Sequence, residues 1–101
     1  MDQTPDGPAP LTTYEGLARL IDHSLLRPDF TADQVTQGCL MARDYGVAAV
    51  VIRPSDIDLV RPLLEGTSVA LGVAAGFPHG SSTTATKLYE IRDMLRRGAK
   101  E

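Results

Sequence analysis

Few groups in this 101-residue chain can do chemistry. Lys87 and Lys100 are the only lysines, and so the only side-chain amines able to attack a carbonyl carbon. Lys87 falls in the first turn of an expected amphipathic helix, where water keeps an amine charged and a poor nucleophile. His79 sits in the loop Gly76–Phe77–Pro78–His79–Gly80 and invites a general-base reading, although such loops usually present histidine as an exposed turn residue. The same loop runs into Ser81–Ser82–Thr83–Thr84, a hydroxyl-rich helix start that could cradle phosphate. It lacks the lysine and the spacing of a P-loop. Asp22 and Ser24 pair a carboxylate with a hydroxyl two positions apart, but local pattern alone makes Asp22 a solvated or capping residue. Cys39, the single cysteine, shares an apolar helical face with Val35 and Ala42 and reads as core. One cysteine can form neither an intrachain disulfide nor a cysteine metal cage.

The elements that must position these groups alternate. Two unbroken apolar runs, Val47–Ile52 and Val69–Ala75, suit strands covered on both faces, as in a parallel sheet. Helices are expected between and after them. Thr31 and Gln34 have capping-box spacing, and Gly46 stands where a left-handed C-cap belongs. Ser55 and Asp58 repeat that spacing ahead of Ile57, Leu59, Val60, Leu63 and Leu64, with Pro62 predicting a kink or late start and Gly66 the stop. A last helix, about Thr84 to Arg97, should turn Leu88, Ile91 and Leu95 inward and place Arg92, Arg96 and Arg97 on a solvated face, with Gly98 as its cap. Upstream, Thr12 and Glu15 have capping-box spacing, and Leu17, Leu20, Ile21, Ser24 and Leu25 fall at helical intervals as far as Leu26. Strands joined by crossover helices are parallel neighbours with right-handed connections, and α/β folds place ligands at the carboxyl ends of such strands.

Composition narrows the classes. The chain has room for one domain: residues 1–11, rich in proline, read as a disordered leader, and residues 12–101 as the folded part. A hydrophobic fraction of 43%, 23% charged residues and a net charge of −3 are ordinary for a soluble globular protein and give no electrostatic reason to expect nucleic acid or an anionic membrane. With no signal-peptide pattern and no apolar run of membrane-spanning length, a cytoplasmic location without metal or cofactor is the expectation.

Four motifs taken together carry a resemblance. Leu20–Ile21–Asp22–His23–Ser24–Leu25–Leu26–Arg27–Pro28 resembles the amino-terminal signature of deoxyribose-phosphate aldolase. So does Tyr45–Gly46–Val47–Ala48–Ala49–Val50 with Pro54–Ser55. Gly76–Phe77–Pro78–His79–Gly80 with Thr83, Thr84 and Lys87 is similar to the loop and helix start after that family's third strand, and Gly98–Ala99–Lys100–Glu101 to the turn into its fourth. The resemblance implies a (β/α)8 TIM barrel of which this chain supplies about three βα units, stopping before the fourth strand. It also overrules the upstream periodicity, implying a short helix to about Leu20 and then a first strand with Asp22 and Ser24 at its active-site end.

The implied activity is class I aldol chemistry of deoxyribonucleotide catabolism. A lysine Schiff base with acetaldehyde becomes an enamine and joins glyceraldehyde 3-phosphate, giving 2-deoxyribose 5-phosphate without a metal or cofactor. The family's Schiff-base lysine, second lysine and proton-transfer aspartate match no position up to Glu101, so no catalytic residue is assigned and the isolated chain is expected to be inactive. Asp22, Ser24 and Phe77 match substrate-pocket wall positions. Arg53 departs from the polar neutral or aromatic residue expected there, and Val51 stands where some relatives carry a cysteine. A phosphorylated sugar substrate and a homo-oligomer, a dimer, are implied for the complete protein. Free-standing alternatives are a small α/β module binding a phosphorylated ligand or an interaction partner of barrel subunits. An incomplete barrel also leaves strand edges, and Val69–Ala75 is the edge expected to drive self-association.

Overall fold

In a computed structural model describing residues 11–101, three parallel strands lie side by side in chain order: β1 (Asp22–Leu25), β2 (Ala49–Ile52) and β3 (Ala70–Val73). The expected leader, apart from Leu11, lies outside the described residues. A short α1 (Tyr14–Ala18) precedes β1. The crossovers are α2 (Ala32–Tyr45), then a 3-10 turn (Pro54–Asp56) running into α3 (Ile57–Leu64), and α4 (Thr84–Arg96) follows β3. The pairing register aligns Asp22 with Ala49 and Ala70, and Ser24 with Val51 and Gly72.

One face of the sheet meets the helices. Leu25, Val50, Ile52 and Leu71 pack there with Val35, Cys39 and Ala42 of α2 and Ile57, Val60 and Leu64 of α3. Because strand side chains alternate, Asp22, Ser24, Ala49, Val51, Ala70 and Gly72 occupy the opposite face. The expected face of α2 is right, and so are its caps. Thr31 Oγ1 accepts from Gln34 N, Gln34 Oε1 accepts from Thr31 N, and Gly46 adopts a left-handed conformation with φ 67°. Beyond Gly46, Val47 N donates back to Ala42 O, and beyond Gly98, Ala99 N donates back to Met94 O. Both helices thus end in the six-residue closure in which an apolar residue past the glycine packs on the last turn.

Other expectations need correction. There is no single helix to Leu26; α1 stops at Ala18 and β1 begins four residues later, as the resemblance implied. The cap of α1 is Thr13, whose Oγ1 accepts from Gly16 N, so Thr12 and Glu15 form no capping box. Neither do Ser55 and Asp58: Pro54 opens a 3-10 turn instead, and α3 carries Pro62 in its final turn. The inward face of α4 is also different. Leu88, Ile91 and Leu95 are 48%, 38% and 59% exposed, whereas Met94 is buried and Lys87 and Glu90 are half-buried. At 100° per residue the apolar stripe lies about a quarter turn from the buried side.

The far edge of β3 is not bare. Lys100 N donates to Leu71 O at 2.8 Å, and Val73 N donates to Glu101 O at 2.9 Å. Glu101 N also donates to Leu71 O at 3.3 Å, so Glu101 bonds to β3 on both sides of Gly72 in the slanted pattern of a parallel pair. The expected open edge at Val69–Ala75 is therefore occupied at Leu71 and Val73 only, and β1 is the other edge strand of the sheet.

Candidate active site

Three loops gather at the carboxyl ends of the strands. The β1–α2 loop is built on itself: Arg27 makes two hydrogen bonds to Asp29, at 3.1 and 2.9 Å, and its guanidinium lies 5.5 Å over the Phe30 ring. The Arg27 guanidinium holds the Asp29 carboxyl below the usual carboxylate range. In the β2–α3 loop Arg53 donates from Nε to Asp56 at 2.6 Å and from Nη1 to the carbonyls of Arg27 and Pro28. The β3–α4 loop contains a cis Phe77–Pro78 bond. It is tied to α4 at both ends, since Gly76 N donates to Glu90 Oε1 at 2.7 Å and Lys87 Nζ donates to Gly80 O at 3.2 Å.

Between the loops lies a cavity of about 270 Å³ lined by Leu26, Pro28, Arg53, Ala74, Phe77 and Glu90, among others. Its walls are mainly apolar, and both charged residues are already bonded to loop atoms. Phe77, 54% exposed, faces this cavity. Asp22 and Ser24 do not line it. They are exposed on the opposite-to-helix face of β1, and Asp22 is the first residue of that strand, not at its carboxyl end. Along the strand about 6–7 Å separates it from Ser24, which stands one layer nearer the loops. Strand alternation thus brings Asp22 and Ser24 together, with small Ala49, Ala70 and Gly72 beside them leaving space on that face. The loop puts Phe77 in a separate wall.

The remaining candidates resolve individually. His79 is an exposed turn residue. Lys87 is not simply solvated: its side chain lies under the glycine loop, with Cδ 3.1 Å from where a Gly76 Cβ would be. The helix start that could cradle phosphate is self-capped, with Thr83 Oγ1 accepting from Thr86 N and bonded to the Thr86 hydroxyl. Cys39 is fully buried, and desolvation, with the charge of Asp56 second, pushes its thiol up to about 11. No group of acidic, histidine or cysteine side chains among the described residues could hold a metal, and no helix among them is long and apolar enough to cross a membrane. Sequence reasoning left Arg53 without a role: Asp56 is only three residues on, but the carbonyls it also holds lie 25 and 26 residues back and no local spacing announces them.

No protein-family model matches the chain. Curated proteins do: it is 42% identical over 89 residues to deoxyribose-phosphate aldolase of Bacteroides thetaiotaomicron, a match covering 88% of this chain and 37% of that protein. Over this segment the chain is homologous to deoxyribose-phosphate aldolase. Solved aldolase structures agree in fold. The deoxyribose phosphate aldolase of Aeropyrum pernix, described as a tetramer, superimposes with a TM-score of 0.81 at 35% identity, covering 88% of this chain and 38% of that one. A Coccidioides immitis protein assigned to the same enzyme gives 0.84 at 31% identity, covering 98% and 40%. The three βα units are accordingly part of an α/β barrel, and the chain spans under two fifths of the curated aldolase of Bacteroides. Asp22 and Ser24 lie on the face of the sheet away from the helices.

Proposed function

We propose that this chain is the amino-terminal part of a class I aldolase that interconverts 2-deoxyribose 5-phosphate with acetaldehyde and glyceraldehyde 3-phosphate. The long match to aldolase relatives supports the reading, and in a closed barrel the sheet face bearing Asp22 and Ser24 would look into the bore. In this reading a later strand of the barrel supplies the lysine whose Schiff base with the aldehyde withdraws electrons from the adjacent carbon. Asp22 and Ser24 are wall residues: the carboxylate and hydroxyl orient substrate hydroxyls or a water near the reacting centre. Phe77 contributes apolar wall at the mouth.

Lys87 and Lys100 are not the nucleophile. Lys87 is engaged with Gly80 O, and Lys100 belongs to the outer layer, since its neighbour Glu101 is the residue beside Gly72. The reading further assigns the complete protein to the cytoplasm and to a homo-oligomer. The test is a graft. Residues 20–101 replace the matched segment of the Bacteroides aldolase, and cleavage of 2-deoxyribose 5-phosphate is assayed with borohydride trapping of the acetaldehyde adduct. The graft should turn over and trap, while the 101-residue chain alone should trap nothing. A graft that melts cooperatively as a closed barrel yet neither traps nor turns over defeats the proposal.

A further inference from the structure

Arg53 follows the last residue of β2 and reaches across to the loop after β1. Its Nε–Asp56 ion pair is 2.6 Å long, with side chains only 22% and 12% exposed, and Nη1 is shared between Arg27 O at 3.3 Å and Pro28 O at 3.2 Å. A planar guanidinium fork can hold a carboxylate on one edge and carbonyls on another, which a lysine point charge cannot do from the same position. The carboxylate fixes the fork's orientation, and the fork fixes the loop. Leu26 and Pro28 on that loop line the cavity, as does Phe77 of the β3–α4 loop.

We infer that Arg53 is a positioning residue: it fastens the β1–α2 loop to the β2–α3 loop and so sets the width of the cavity mouth. With Nε and Nη1 committed to protein acceptors, it acts through Leu26 and Pro28 on whatever enters. The inference concerns the frame of the cavity and holds whether or not the aldolase proposal does, so the two can fail separately.

Amide exchange in the 101-residue chain tests it. Phe30 N donates to Arg27 O, the same carbonyl that Arg53 holds, so the Phe30 amide reports the clamp. Ala48 N, bonded to Ile21 O, and Ala70 N, bonded to Ala48 O, report the sheet. Arg53→Lys keeps a positive charge beside Asp56 but loses the fork. Losing charge-assisted bonds should speed Phe30 exchange about tenfold or more while the sheet amides change less than about twofold. In Arg53→Ala, added ethylguanidinium should restore Phe30 protection and ethylammonium should not. Unchanged Phe30 exchange in Arg53→Lys overturns the inference. So does acceleration of Phe30, Ala48 and Ala70 in step, or equal rescue by both cations, since either would mean bulk stability or simple charge.

Discussion

Gly38 of α2 lies directly against Leu25 of β1: a Cβ built on Gly38 would stand 2.6 Å from Leu25 Cδ2 and 2.8 Å from Cδ1. Leu25 is buried and cannot swing away freely. Helix propensity favours alanine over glycine by about 1 kcal/mol, whereas overpacking a core costs about 1–3 kcal/mol. Gly38→Ala should therefore lower stability in the native background and raise it in a Leu25→Ala background, where the clash is gone. Urea melts of the four chains measure the sign. An equal effect in both backgrounds would show that the contact does not couple.

For the proposed aldolase, Asp22→Ala in the grafted barrel should cut turnover by about a hundredfold, the scale of losing alignment at a reacting centre. Asp22 is exposed in this chain, so the same change should alter stability here by no more than about 0.5 kcal/mol. Ser24→Thr, which keeps the hydroxyl, should retain activity and Ser24→Ala should not. Unchanged turnover with a clearly lower Tm would make Asp22 a structural residue.

Cys39 gives a pH signature. The buried thiol stays protonated up to about 11, while an exposed thiol ionises near 9.0, so between these values the unfolded chain binds fewer protons. Stability must then fall as pH rises through that window, and the contribution is fully present below it. Thermal melts from pH 8 to 11 should show a steeper decline for the native chain than for Cys39→Ala. Native Cys39 should resist alkylation until the chain is unfolded. Parallel pH slopes or rapid native alkylation would contradict this.

Self-association should run through the β1 side and not through β3, whose edge already receives Lys100 and Glu101. Beside β1 lies an apolar groove lined by Tyr14, Leu17, Ile21, Met41 and Tyr45, all of them substantially exposed. An unpaired strand edge next to an apolar groove is a pairing template for a second copy. Sedimentation at micromolar concentration should show association that Leu17→Lys with Tyr45→Glu abolishes. An association untouched by that pair would place the contact elsewhere.

How far the sequence could be read varied with the range of the interactions. The ends of α2 were legible because Thr31, Gln34 and Gly46 act on neighbours within one turn. β1 was not, since four residues are too few to show alternation and Leu17, Leu20 and Ile21 before it supply a false helical rhythm. The inward face of α4 misled for a related reason: its apolar stripe is left exposed, and the less exposed residues include Lys87 and Glu90, which hold the loop. Asp22 and Ser24 became pocket candidates through the resemblance, and their shared face then followed from strand parity. The role of Arg53 depends on two carbonyls that only folding brings near.

The three bonds between β3 and Lys100–Glu101 have a consequence for how α4 is held. Glu101 Cβ lies 3.7 Å from where a Gly72 Cβ would stand, so the chain returns to the strand it left before α4. The segment from β3 through α4 to Glu101 is thus closed on itself, and α4 is held to the sheet through its two ends although its apolar stripe is exposed.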